Sequence, residues 1–89
     1  GMEAAMLEQL RVGDMVFAAE GQEGIGAVRA LHADHFVLYV ENAGEFQIPR
    51  TAILRVHDQK VMLDPGALKG PLLEAVRKAH NREDPKLVG

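Results

Sequence analysis

Cysteine, serine and tryptophan are absent from this 89-residue chain, and aromatic residues make up only 4% of it. Without cysteine there are no disulfides, no thiolate metal sites and no thiol nucleophiles. Without serine, Thr51 is the sole β-hydroxyl open to nucleophilic catalysis, and no catalytic signature surrounds it. Long apolar runs are missing too. None approaches the roughly 18 residues that cross a bilayer, and the N-terminus lacks the basic-then-apolar order of a secretory signal. The expectation is a cytoplasmic protein without membrane insertion, in which Gly1, standing before Met2, is a scar of tag removal.

What is present is an ordinary globular balance, 47% hydrophobic and 26% charged. A chain of this length makes one domain with one modest core and buries only about 60 to 65% of its unfolded surface. The net charge of −3 conceals a division. Residues 2–48 hold eight acids against Arg11 and Arg29, whereas residues 49–89 hold eight bases against five acids. Nucleic-acid binders concentrate basic charge because phosphate neutralisation dominates their affinity, and here only the second half offers any excess. DNA is therefore not an expected partner, and RNA is a secondary expectation.

After a short lead-in over residues 1–9, the chain breaks into β-type runs punctuated by Gly, Asn and Asp, the spacing of an all-β meander. The runs cover 14–19, 25–31, 35–40, 45–48, 54–57 and 61–63. The first pair flanks the glycine-bearing turn 20–24 and reads as a hairpin. Phe46 and Ile48 alternate with Glu45 and Gln47, marking a half-buried strand that Pro49 ends. Residues 50–53 suggest a helical turn, and Asp58-Gln59 a tight turn into the last strand. Asp64-Pro65 reads as a cap followed by proline at the first helical position, and Gly70-Pro71 repeats that punctuation. The spacing of Leu72, Ala75, Val76 and Ala79 predicts a helix over 71–81, supported by Glu74 and Lys78 in the favourable i, i+4 order. Residues 10–64 thus form an all-β domain, 65–81 a helical extension and 82–89 a frayed tail.

Val12-Gly13-Asp14-Met15-Val16, Gly24-Ile25-Gly26-Ala27-Val28 after an acidic turn, Phe46-Gln47-Ile48-Pro49 followed by Ile53 and Val56, and Lys60-Val61-Met62-Leu63 occur in an order that resembles the PRC-barrel domains. That family includes the cytoplasmic part of the photosynthetic reaction-centre H subunit and a domain of a ribosome maturation factor. The resemblance spans residues 10–63. It implies a mostly β fold, a small antiparallel barrel of five to six strands, and a docking role in larger assemblies, while the C-terminal α-helix read from the spacing lies outside the shared core. It brings no catalytic residues. Gly26 makes physical sense without the family, because a small barrel needs close backbone approach at its bends.

Few groups invite chemistry. Gly21 to Gly26 lacks the Lys-Thr or Lys-Ser of a phosphate loop. His32 and His35 flank a turn with no cysteine or third histidine to close a metal site. His57 beside Asp58 resembles half of a catalytic pair, but neighbouring strand residues point to opposite faces. No metal, no cofactor and no enzyme activity are expected.

The informative feature is that both faces of two strands are apolar. Met15 and Phe17 alternate with Val16 and Ala18, and Val37 and Tyr39 with Phe36, Leu38 and Val40. One set lines the barrel, and the other needs a cover, because large exposed apolar patches are uncommon on monomers. Met15, Phe17, Val37 and Tyr39 form the candidate interaction face, and Leu72, Leu73, Val76 and Ala79 the candidate docking face of the helix. Either the helix covers Phe17 and Tyr39 within one chain, or a second copy or a protein partner does. The expected function is a non-catalytic interaction or adaptor module. The alternative is an RNA- or ribosome-associated module using Arg50, Arg55, Lys60, Arg77 and Lys78.

Overall fold

The structure, a computed structural model, describes residues 9–18 and 23–83, with side chains through residue 79. Most of the expected lead-in, part of the 20–24 turn and residues 84–89 of the expected tail lie outside the described residues. The fold is mostly β: six strands in one sheet, curled into a half-barrel and followed by one α-helix. The strands are β1 (Met15–Phe17), β2 (Gly26–Leu31), β3 (His35–Val40), β4 (Gly44–Pro49), β5 (Ile53–His57) and β6 (Lys60–Leu63). Their order across the sheet is β4-β3-β2-β1-β6-β5. All neighbours are antiparallel except β1 and β6, which run parallel. That pairing makes the sheet mixed. It joins the first strand to the last and leaves β4 and β5 as edges.

Turn chemistry fixes the hairpins. Asn42 at φ 66° and Gly44 at φ 99° turn β3 into β4, while Asp58 and Gln59, at φ 50° and 65°, make a two-residue link from β5 to β6. Positive φ at both central residues is the twist-compatible hairpin solution. A 3-10 turn over Arg50–Ala52 connects the two edges, as the sequence suggests, and a second covers Pro65–Ala67. In the second, the Asp64 carboxylate accepts the Gly66 N–H at 2.9 Å, the capping role expected of that residue.

Strand alternation decides the inside. Val16, Val28, Phe36, Leu38, Val40, Ile48, Val61 and Leu63 are buried and form one cluster on the concave face. The helix α1 (Gly70–Glu83) closes it, lying against β3 and inserting Leu72 and Ala75. It begins one residue earlier and runs two residues further than its apolar spacing predicts. Of the four residues expected to dock it, Leu72, Val76 and Ala79 pack on this core, whereas half-buried Leu73 lies outside the cluster and Ala75 takes its place. The helix covers the Phe36 face. It does not cover Phe17 and Tyr39.

The one buried charged residue among those described is Asp14, 4% exposed, just ahead of β1. Its Oδ2 accepts the Arg11 N–H at 2.9 Å while its own N–H donates to the Arg11 carbonyl at 3.1 Å. Its carbonyl accepts from Val28 N–H at 2.9 Å, so this turn pins the start of β1 to β2. Hydrogen bonding of this kind is what makes a buried carboxylate tolerable.

Candidate functional site

With the Phe36 face closed by α1, the opposite, convex face holds the other half of every strand. The register lines up residues across it. Glu45, Tyr39, Ala27, Met15, Lys60 and His57 are successive partners from β4 to β5 and form one row across all six strands. Phe17, Met62 and Arg55 make a second row on one side of it, and Gln47, Val37 and Ala30 a third on the other. Directly opposed residues share a face, so these rows form one surface.

All four residues of the expected interaction face, Met15, Phe17, Val37 and Tyr39, lie here, spread over the three rows. Met15 is 45% exposed, and the other three are half-buried. Sequence reasoning missed Ala27 and Met62, although Met62 alternates with core residues Val61 and Leu63 and that alternation signals its face. It also missed Arg29 and Glu45. The Arg29 guanidinium lies 4.2 Å over the Tyr39 ring and 3.6 Å from Glu45 Oε2. A register shift at Arg29 in β2 creates this grouping, and no local pattern announces it. Lys60 Nζ sits 6.0 Å over the Phe17 ring. Such exposed cation–π contacts are worth about 0.5–1 kcal/mol each, enough to orient side chains but not to hold the fold.

The five basic residues of the RNA reading are not gathered into one patch. Arg55 and Lys60 are on the convex face, Arg77 and Lys78 on α1 over the concave one. Arg50 donates from Nε to the His32 carbonyl at 2.9 Å.

The histidines adopt specific local roles. His32 and His35 stack with ring centroids 4.5 Å apart and planes 10° from parallel, so the faces meet and the nitrogens do not converge. Among the described residues no three His, Asp or Glu side chains gather around one point. His35 Nδ1–H donates to Asp34 Oδ1 at 2.6 Å and, with its charge, holds the exposed Asp34 carboxyl below its usual 3.8. A depressed carboxyl pKa contributes stability that is present above the unfolded value and lost as pH falls through the lower folded one. An NMR titration is therefore expected to place the Asp34 midpoint below 3.8 in the native chain, and His35→Ala to return it toward that value. His57 Nε2 lies 3.0 Å from Asp58 Oδ2, contrary to the expectation that the two point apart. Alternation fails there because Asp58, at φ 50°, has already left the strand. Both side chains are about four-fifths exposed, at 79% and 80%. The side chain of His80 lies outside the described residues.

A cleft of about 390 Å³ runs beside edge strand β4, between Phe46, Ile48 and Pro49 and the segment carrying Ala67, Pro71 and Leu72. Thr51, Asp64 and Lys69 are among its polar lining. The Asp64 carboxylate is engaged by its capping bond to Gly66. The cleft is mainly apolar and small.

Among the described residues no helix is long and apolar enough to cross a membrane. Compared with protein-family models, with curated proteins and with solved structures, the chain matches none of them.

Proposed function

We propose that this chain is a non-catalytic docking module, PRC-barrel-like in the order of its strand and turn signals, that binds protein through the convex face of its sheet. One observation carries the reading: α1 seals the concave face, while Met15, Phe17, Val37, Tyr39 and Met62 share the convex face without it. An apolar centre with a charged margin, here Lys60 on one side and Arg29 with Glu45 on the other, is the anatomy of a protein interface. Aromatic and methionine side chains are enriched at such centres, and tyrosine is among the residues on which binding energy concentrates.

The test is affinity capture of the tagged chain from its host, with and without nuclease, beside the variant Met15→Glu. Met15 is 45% exposed, so the substitution leaves the core intact. A recurrent partner that resists nuclease and falls at least about fivefold with Met15→Glu supports docking through this face, since a central contact is worth more than about 1 kcal/mol. Partners that vanish with nuclease support the RNA alternative. Recovery of the same partners by both variants contradicts the convex face as the site.

A further inference from the structure

We propose that the convex face docks a second copy of this chain, face to face, about a two-fold axis that lies in the interface and runs along β2. This rests on the reading of that face as a protein-docking surface and names its partner. The central row carries the argument. Lys60 on β6 and Glu45 on β4 each stand two strands from β2, at about 10 Å by the usual strand spacing. Between them lie Met15 and Tyr39, one strand to either side of Ala27.

A two-fold interface brings the same patch of both copies together, so the patch must complement itself. Rotation about an axis along β2 exchanges the two sides of the row. Lys60 of one protomer then meets Glu45 of its partner, Met15 meets Tyr39, and the smallest side chain, Ala27, sits opposite itself on the axis. The charged contact and the apolar contact each form twice. An axis across the strands instead sets Lys60 against Lys60 and Glu45 against Glu45. Charge selects the first arrangement, and like-charge contact excludes the second. Arg29 does not exhaust Glu45, because a carboxylate accepts up to about four hydrogen bonds.

Size sets the strength. Three short rows on a convex surface make a footprint at or below the low end of stable interfaces, about 1,200 Å² in total. The dimer is correspondingly weak and depends on concentration.

The test is sedimentation velocity of the full chain from roughly 10 µM to 1 mM, a range that brackets weak association. The wild type is expected to move from one toward two 9.7-kDa chains. Lys60→Glu alone and Glu45→Lys alone are each expected to weaken association at least tenfold, because each places like charges opposite one another twice. An equimolar mixture of the two variants is expected to form a heterodimer at least as well as wild type, since every charged contact is then opposite in sign. Both substitutions are at exposed positions, and thermal melting checks that each variant is folded. A wild type that stays monomeric, single variants that dimerise as it does, or a mixture that fails to associate overturns the proposal. A monomer that still captures a different protein through Met15 leaves the docking reading standing without it. A monomer that captures nothing removes both.

Discussion

Gly26→Ala is expected to cost more than about 3 kcal/mol, which for a domain of this size lowers the melting temperature by about 12 °C or more. The reason is space and not backbone freedom. Gly26 has no positive φ, but a Cβ built on it falls 2.1 Å from the Tyr39 carbonyl oxygen and 2.9 Å from Leu38 Cδ1. The first obstacle is backbone of the adjacent strand, so it cannot rotate away. Relief requires β2 and β3 to separate where the half-barrel bends, and that breaks the packing of Val28 on Leu38. Gly44 is the control. It sits at φ 99° with nothing within 4 Å of a Cβ, so Gly44→Ala carries only the conformational cost of about 1–2 kcal/mol. Urea unfolding of the two variants separates steric from conformational need. Equal losses would contradict the close approach at Gly26.

Phe36→Ala is expected to remove about 3–5 kcal/mol, the usual cost of deleting a buried aromatic ring and leaving a cavity. Phe36 is fully buried, paired with Ile48 across β4 and enclosed in the cluster that α1 completes. Native domains hold only about 5–15 kcal/mol in all, so this one change removes a large share and brings the chain near unfolding at ambient temperature. Tyr39 makes the informative comparison, because it lies on the same strand with its side chain on the other face. It is half-buried and flanked by Arg29, and Tyr39→Ala is expected to cost under about 2 kcal/mol. Chemical denaturation measures both. If Tyr39→Ala were the more damaging, the assignment of inner and outer faces would be reversed.

Much of this fold is legible in the amino acids. Each of the six β-type runs is a strand, because Gly, Asn and Asp stand where the chain must turn and β-branched or aromatic residues stand between them. The helix is legible from its stripe and the Gly70-Pro71 signal, and Gly26 from its setting between Ile25 and Val28. The facing of β1 and β3 is not legible. Periodicity of two identifies a face only when the other face is polar, and in both strands each alternate set is apolar. Burial of Val16 and Phe36 is settled by the whole sheet and by α1, not by their neighbours in sequence. The parallel pairing of β1 with β6 is equally hidden, since it joins residues more than 40 positions apart by backbone bonds that any side chain permits. The same holds for the candidate site. Its four apolar members could be grouped by alternation, though not assigned to the outer face by it, and the row joining Lys60, Met15, Ala27, Tyr39 and Glu45 exists only through register. Leu73 shows the converse error: Leu72, Ala75, Val76 and Ala79 keep the i, i+3, i+4, i+7 spacing of the stripe that meets the core, and Leu73 stands outside that spacing.

The convex face is tested most directly by following amide and methyl NMR shifts of the labelled full chain on dilution. A face-to-face dimer predicts concentration-dependent shifts at Met15, Ala27, Tyr39, Glu45 and Lys60, with α1 and the cleft beside β4 unchanged. Shifts centred on Phe46, Ile48, Ala67 and Leu72, or no shifts at any concentration, would contradict it.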